Sequence, residues 1–174
     1  MRNRQKGFSL IELLIVVAII LIIAAIAIPN LLRSRMAANE SSSVGTLRTL
    51  VTAQITYATG CPLIGFAPTY VELGPAVVTG CAVGTGSNTI DAQVQSGIKS
   101  GYLYGPAQPN PAFTNLNPTA TGINVSFTTG SVPASLGRTG TRSFCTDDSG
   151  VVTAQLGSVA APAASGCIPP WAPI

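Results

Sequence analysis

From Leu13 to Leu32 the chain runs for twenty residues without a charged side chain. As helix this stretch is about 30 Å long at ~1.5 Å per residue, the thickness of a bilayer's hydrocarbon core. Directly before it stands one carboxylate, Glu12, and before that a short basic leader, Met1 to Gly7, carrying Arg2, Arg4 and Lys6. An ionised, unpaired carboxylate in hydrocarbon costs about 2 to 4 kcal/mol on insertion scales, so Glu12 needs a partner.

A secretory signal peptide has the same ingredients: a basic start, an apolar stretch and a small-residue cleavage site, here Ala25-Ile26-Ala27. The apolar stretch exceeds the ~7 to 15 residues usual for that class. Glu12 interrupts its start, and the helical pattern continues past Ala27 with no polar linker. A plain N-terminal anchor explains the hydrophobicity but gives Glu12 no task.

The string Lys6-Gly7-Phe8-Ser9-Leu10-Ile11-Glu12-Leu13-Leu14-Ile15-Val16-Val17-Ala18-Ile19-Ile20, followed by Ala27-Ile28-Pro29-Asn30, resembles the start of a type IV pilin or of the related pseudopilins of type II secretion. The resemblance covers about Lys6 to Arg35. It implies that a prepilin peptidase cuts between Gly7 and Phe8, that the new Phe8 amine is methylated, and that the apolar helix is retained. It also implies that Phe8 and Glu12 act in subunit assembly, the amine of one subunit pairing with the glutamate of its neighbour. A pair between Phe8 and Glu12 of one subunit is the competing account.

The nine Lys and Arg and six Asp and Glu give the whole chain a formal charge of +3. Loss of the leader leaves six of each sign, so the basicity is a targeting signal. Positive charge before the first apolar helix holds that end in the cytoplasm and places the rest across the membrane. No basic patch remains to neutralise a row of phosphates, so nucleic-acid binding of that kind is not expected. Cys61, Cys81, Cys145 and Cys167 all lie in the exported part and read as two disulfides. Three connectivities are open. The favoured one joins Cys61 to Cys81 and Cys145 to Cys167, closing loops of similar size worth about 3 kcal/mol each in the chain-entropy model. A zinc site is disfavoured, because the chain has no histidine and no short paired cysteine spacing.

Val44, Leu47, Val51, Ile55 and Ala58 recur at helical steps, with Thr46, Thr49, Thr52 and Thr56 between them. The predicted helix therefore runs from Phe8 to about Thr59 and stops at Gly60-Cys61-Pro62. Pro29 and Gly45 are its candidate bends. Beyond Pro62 the composition turns to Gly, Pro, Ser, Thr and Ala. Leu63 to Asn88 reads as a connecting region, Ile90 to Lys99 as a short helix, and Pro106 to Pro118 as an irregular surface loop. Strands are expected at Gly101 to Tyr104, Ile123 to Thr128, Arg142 to Thr146 and Val151 to Gln155. Asp147-Asp148-Ser149-Gly150 makes a hairpin turn between the last two. Gly157 to Ile174 reads as a tail that no core would hold, tied by Cys167.

The stretch Thr141 to Val152, with Ser100-Gly101-Tyr102 upstream, is similar to the head domains of some bacterial pilins. It implies an α+β fold: a long N-terminal helix packed by its C-terminal half on a small antiparallel sheet. The expected divisions are a leader 1–7, a membrane or filament-core half 8–32, an amphipathic half 33–60, a head 61–156 and a tail 157–174. Without histidine, a GxSxG elbow or a P-loop, no catalytic residue and no cofactor are expected. Asp147 and Asp148 are the one candidate calcium pair, and a solvated turn is the simpler reading, so no metal is expected either.

The function implied is that of a structural filament subunit. Its partners would be copies of itself, a prepilin peptidase, the inner-membrane assembly machinery and, before assembly, the membrane. The filament would be extracellular and serve adhesion, twitching motility or DNA uptake. The alternative is a pseudopilin of a type II secretion piston. The cysteine-stapled head and the lack of a strong calcium-ligand cluster favour the pilus. A conductive fibre has little behind it, since Phe8 and Tyr57 are the only aromatics from Phe8 to Thr59.

Overall fold

The computed structural model describes residues 8–75, 81, 86–105, 115–118, 123–157, 167 and 172–174. The leader, including Gly7, lies outside the described residues. The chain divides into two compact units, Met1–Arg35 and Met36–Ile174. One helix, α1 (Leu10–Gly60), contributes to both and continues through Pro29 and Gly45.

Helix α1 starts on a capping arrangement written as Ser9-x-x-Glu12. The Ser9 N–H donates to Glu12 Oε2 at 2.9 Å, so an otherwise orphaned amide at the helix start is satisfied by the third helical residue. It ends at Gly60, and Pro62 two residues on has no N–H with which to continue. The next turn is pinned by Gly65, whose φ of +76° and close approach to the Asn124 carbonyl leave no room for a Cβ. Around it the Phe66 N–H donates to Asn124 O and the Asn124 N–H to Ile64 O.

The region from Leu63 to Asn88 is more than a connection. It holds α2 (Tyr70–Leu73), opened by a capping box in which Thr69 accepts from the Val71 N–H and Glu72 accepts from the Thr69 N–H. Four residues show no period, yet Thr69-x-x-Glu72 is a capping signal legible in sequence. The helix expected over Ile90–Lys99 is shorter, α3 (Ala92–Gln95), capped by the Asp91 carboxylate on the Val94 N–H. Gly97 at φ +78° ends it, and the chain turns into a hairpin of β1 (Ile98–Lys99) and β2 (Tyr102–Tyr104). The two turn residues, Ser100 and Gly101, both have positive φ, the geometry of a tight two-residue hairpin.

The centre of the sheet is β4 (Asn124–Pro133), which runs five residues past the Thr128 end expected from sequence. Its length serves two partners on one edge. β2 pairs with its C-terminal half through Leu103 and Val132, and β3 (Asn115–Pro118) pairs with its N-terminal half through Leu116 and Phe127. The Asn115–Pro118 end of the expected loop is thus a strand; residues 106–114 lie outside the described residues. Pairing backbone to backbone tolerates a poor strand sequence where an edge is free. On the other side follow β5 (Arg142–Asp147), β6 (Thr153–Leu156) and β7 (Ala172–Pro173), all antiparallel. The tail is accordingly held by more than its cysteine, because Thr153 and Ala154 pair with Pro173 and Ala172.

The core of the second unit gathers Leu47, Leu50, Ala53 and Tyr57 of α1 with Tyr70, Leu73, Ile90, Val94, Tyr102, Tyr104, Phe144, Val152 and Ala154. The buried residues of α1 are Glu40, Ser43, Thr46, Leu47, Leu50, Val51, Ala53, Gln54 and Tyr57. Of the expected apolar stripe, Leu47 and Val51 are buried and Val44 and Ala58 half-buried, while Ile55 is about half exposed. The buried face is thus wider than that stripe and takes in polar side chains that have partners there.

Cys61 is bonded to Cys81, and Cys145 to Cys167. Cys145 is fully buried on β5, and the Cys167 N–H donates to the Asp147 carboxylate, so the bridge brings the tail onto this strand. Replacing Cys145 and Cys167 together by Ala should weaken the head by about 3 kcal/mol. Limited proteolysis followed by mass analysis should find the first cuts after Gly157, with α1 and the rest of the sheet still protected.

Candidate functional site

The first unit presents an apolar surface with nothing over it. Every large apolar side chain from Phe8 to Leu32 is exposed, Phe8 at 77% and Leu10 at 78%. The helix is long and apolar enough to cross a membrane by length and composition. Glu12 interrupts this surface one turn from Phe8. One of its oxygens caps the helix through Ser9, while Oε1 has no partner among the described residues. A carboxylate so placed closes its own helix and retains an acceptor face for an incoming cation.

Among the polar contacts that join α1 to the rest of the second unit are those of its buried residues Glu40, Ser43 and Gln54. At the first, Glu40 is 8% exposed and accepts from the Thr141 N–H at 2.8 Å, the Thr141 hydroxyl at 2.8 Å and Arg142 Nε at 2.9 Å, with Arg142 Nη2 at 2.8 Å. Arg142 also lies over the Phe144 ring at 5.6 Å, and the Tyr102 hydroxyl donates to its carbonyl. Burial pushes the Glu40 carboxyl up, but the Thr141 and Arg142 donors more than reverse this and hold it below the usual glutamate value.

At the second contact the Ser43 and Ser131 hydroxyls share a hydrogen bond. At the third the Gln54 amide, fully buried, donates to Ala67 O at 3.2 Å and accepts from the Ala67 N–H at 2.7 Å, acting as a one-residue strand partner. None of these residues appears among the sequence-derived candidates. The signal available was a polar residue at each of positions 40, 43 and 54 in register with Leu47 and Leu50.

The outward side of α1 also differs from its composition. Thr49, Thr52 and Thr56 are exposed, yet each hydroxyl donates to the carbonyl four residues back at 2.8 to 3.1 Å. Asp147 is engaged by Ser149 and Cys167, and no group of three or more His, Cys, Asp or Glu suited to a metal occurs among the described residues.

Residues 2–28 match the prokaryotic N-terminal methylation motif. The chain is 46% identical over 72 residues to the type IV major pilin protein PilA of Myxococcus xanthus, covering 37% of this chain and 33% of that one. It is 54% identical over 57 residues to the type IV wide pilus major component PilA4 of Thermus thermophilus, covering 33% and 43%. It is 39% identical over 104 residues to the type IV major fimbrial protein FimA of Dichelobacter nodosus, covering 58% and 56%. The chain thus spans between a third and a little over half the length of these relatives. No solved structure matches it at a significant level. A methylation motif at the start of a long apolar helix, followed by an antiparallel sheet, makes the chain similar to a prepilin-type subunit. The relatives that it resembles are type IV pilins and fimbrial proteins.

The Glu40 contact generates a pH prediction. A carboxyl whose folded value is depressed adds stability that is complete above its unfolded value and is lost as pH falls through the folded value. Thermal unfolding in detergent should therefore show a loss of stability on acidification below about pH 4.5, the ordinary glutamate value. Glu40→Gln should be less stable by about 2 kcal/mol at pH 7. Its acid loss should be correspondingly smaller than that of the parent, the remaining slope coming from Asp91 and Asp147, which are also held low.

Proposed function

We propose that this chain is the structural subunit of a type IV pilus and polymerises through its N-terminal helix. The observation that carries this reading is the uncovered, charge-free surface from Leu13 to Leu32, preceded by a lone carboxylate at Glu12. Such a surface lies in lipid while the subunit is stored and against other copies after extraction, so one segment serves both states. Prepilin peptidase cleaves between Gly7 and Phe8 at the cytoplasmic face, and Phe8 is then methylated. The free Glu12 oxygen receives the Phe8 amine of a neighbour. Desolvation makes that pairing selective, because either charge left alone in a helix bundle is penalised. Pro29 and Gly45 are the positions at which α1 adjusts its path in the filament.

The subunit pool resides in the inner membrane and the filament outside the cell, extended by the inner-membrane assembly machinery. Adhesion, twitching motility and DNA uptake are the surface tasks this placement serves, and the subunit itself is not catalytic. The names of the matched relatives support a pilus over a secretion pseudopilus, since each is called a pilin, a pilus component or a fimbrial protein.

Gly7→Trp should leave uncut precursor in the inner membrane, while filaments of the parent protein should give an intact mass starting at Phe8. Filaments retaining residues 1–7, or starting after Ala27, overturn the processing scheme.

Two substitutions separate the roles of Glu12. Gln keeps a helix-capping acceptor and loses the charge, whereas Val loses both. If the charge is what assembly needs, both variants should insert normally in the membrane and yield far less filament on shearing. Normal yield from Glu12→Gln assigns the residue to capping instead.

A further inference from the structure

Between β4 and β5 the chain makes a small closed turn, residues 134–140, on which sit an exposed leucine and an exposed arginine. Its frame is fixed from within. The Gly137 N–H donates to Gly140 O at 2.8 Å, the Arg138 and Thr139 N–H groups to Ser135 O at 3.1 and 2.9 Å, and the Ser135 N–H to the Thr139 hydroxyl at 3.0 Å. Gly137, at φ +77°, forms the tip. The frame is also held from outside, where the Ala134 N–H donates to Gly101 O and the Asn39 side-chain amide of α1 donates to Thr139 O, both at 2.9 Å. Leu136 is nevertheless 54% exposed and lies outside the core. Arg138 is exposed, and its guanidinium has no partner among the described residues. An ordered turn thus presents an apolar and a cationic side chain side by side.

No free acid accompanies them. Residues 134–140 contain no Asp or Glu, and neither do residues 33–39. Of the carboxylates on neighbouring elements, Glu40 is buried and held by Arg142, and Asp91 is paired with Lys99. In the first unit, Arg33 and Arg35 follow directly on the charge-free run, where cationic side chains leave hydrocarbon for phosphate groups. Asn39, which holds the turn, comes seven residues after Leu32 in the same helix, a tether of about 10 Å at ~1.5 Å per residue. That tether keeps the turn within reach of the headgroup layer, which adds roughly 5 to 8 Å on each side of the hydrocarbon core.

We propose that the turn 134–140 docks the head on the membrane while the subunit is stored, Arg138 receiving the phosphate of an anionic phospholipid and Leu136 entering the upper acyl layer. The proposal rests on the reading above that α1 lies in lipid before assembly. A cation beside an apolar side chain suits a surface whose outer layer is anionic and whose next layer is hydrocarbon. An acidic protein surface would give Leu136 no use, and an apolar one would leave the Arg138 charge uncompensated. Because the turn is already hydrogen-bonded, docking orders few further groups. Two side chains alone bind a vesicle only marginally. Joined to a helix already in the bilayer, they meet the surface at high effective concentration and still release when the subunit is extracted.

The test uses the full-length chain reconstituted at low density into vesicles of phosphatidylcholine, with or without phosphatidylglycerol. Trp171→Phe removes the chain's single tryptophan. A reporter is then placed by Leu136→Trp or, as the control, by Leu63→Trp, since Leu63 is 85% exposed beyond the far end of α1. Quenching by lipids brominated on the upper acyl carbons reads docking, and mapping of the Cys61–Cys81 and Cys145–Cys167 bonds reports that the head is folded. In vesicles with phosphatidylglycerol, Leu136→Trp should be quenched and Leu63→Trp should not. Adding Arg138→Gln to Leu136→Trp should lower the docked-to-free ratio by about fivefold, the scale of one arginine at an anionic surface. Raising the salt or omitting phosphatidylglycerol should act in the same direction.

Equal quenching of the two reporters, or none of either, overturns the proposal. Quenching of Leu136→Trp that Arg138→Gln leaves unchanged removes the phosphate contact and also overturns it. Shielding of the Leu136→Trp reporter that appears only at high subunit density assigns the turn to a second copy, with the same result. A parent chain that does not float with the vesicles defeats the membrane reading itself, an outcome distinct from any of these.

Discussion

The buried Glu40 carboxylate is the contact on which the arrangement of the second unit turns. It leaves water only because two donors from Thr141 and two from Arg142 replace its hydration. Those donors come from the start of β5, so helix and sheet are joined at a fixed height. Gln54, about four turns further along α1, repeats the device on the Ala67 backbone. Two such contacts on one helix face admit a single rotation. A one-residue turn of α1, about 100°, would carry both polar side chains away from their partners and bring Arg48 or Thr49 toward the core in place of Leu47 and Leu50. Apolar packing and polar contacts therefore select the same rotation.

That selection determines which side of α1 remains free. With Glu40, Ser43, Leu47, Leu50 and Gln54 turned inward, the outward side carries Gly45, Arg48, Thr49, Thr52, Ile55 and Thr56. The threonines satisfy their hydroxyls on their own helix and offer methyl groups outward. The same helix, in the other unit, exposes Ile, Leu and Val with no polar partner to satisfy. One continuous helix is therefore adapted to two surroundings by composition alone. Its N-terminal part needs a low-dielectric environment, and its C-terminal part can be wet or covered.

The tail illustrates how a covalent bond and weak pairing combine. Ala172 and Pro173 form a strand too short to stand alone, and Pro cannot donate to a ladder. The Cys145–Cys167 bridge and the Asp147 contact with the Cys167 N–H bring this segment close enough to β6 for two residues to pair. Asp147, at the start of the turn expected from sequence, is used for this.

The features that sequence determined by itself were local or compositional. The charge-free run from Leu13 to Leu32, the Gly60-Cys61-Pro62 stop and the β-branched strands around an Asp-Asp-Ser-Gly turn each depend on residues close together in sequence, and each marks its element without help from the rest of the chain. The α+β plan with a long N-terminal helix was what the resemblance to pilins implied beside these.

Tertiary structure decided the features that depend on a distant partner. Glu40 and Gln54 look like solvent-facing residues until Thr141, Arg142 and Ala67 arrive beside them. Asn115–Pro118 and Ala172–Pro173 look like loop until an edge of β4 or β6 is free to pair with them. Burial of a polar group is favourable only when its partner is already in place, and a poor strand sequence pairs only where an unpaired edge waits. Both conditions are set by residues many tens of positions away, so no window along the chain contains them.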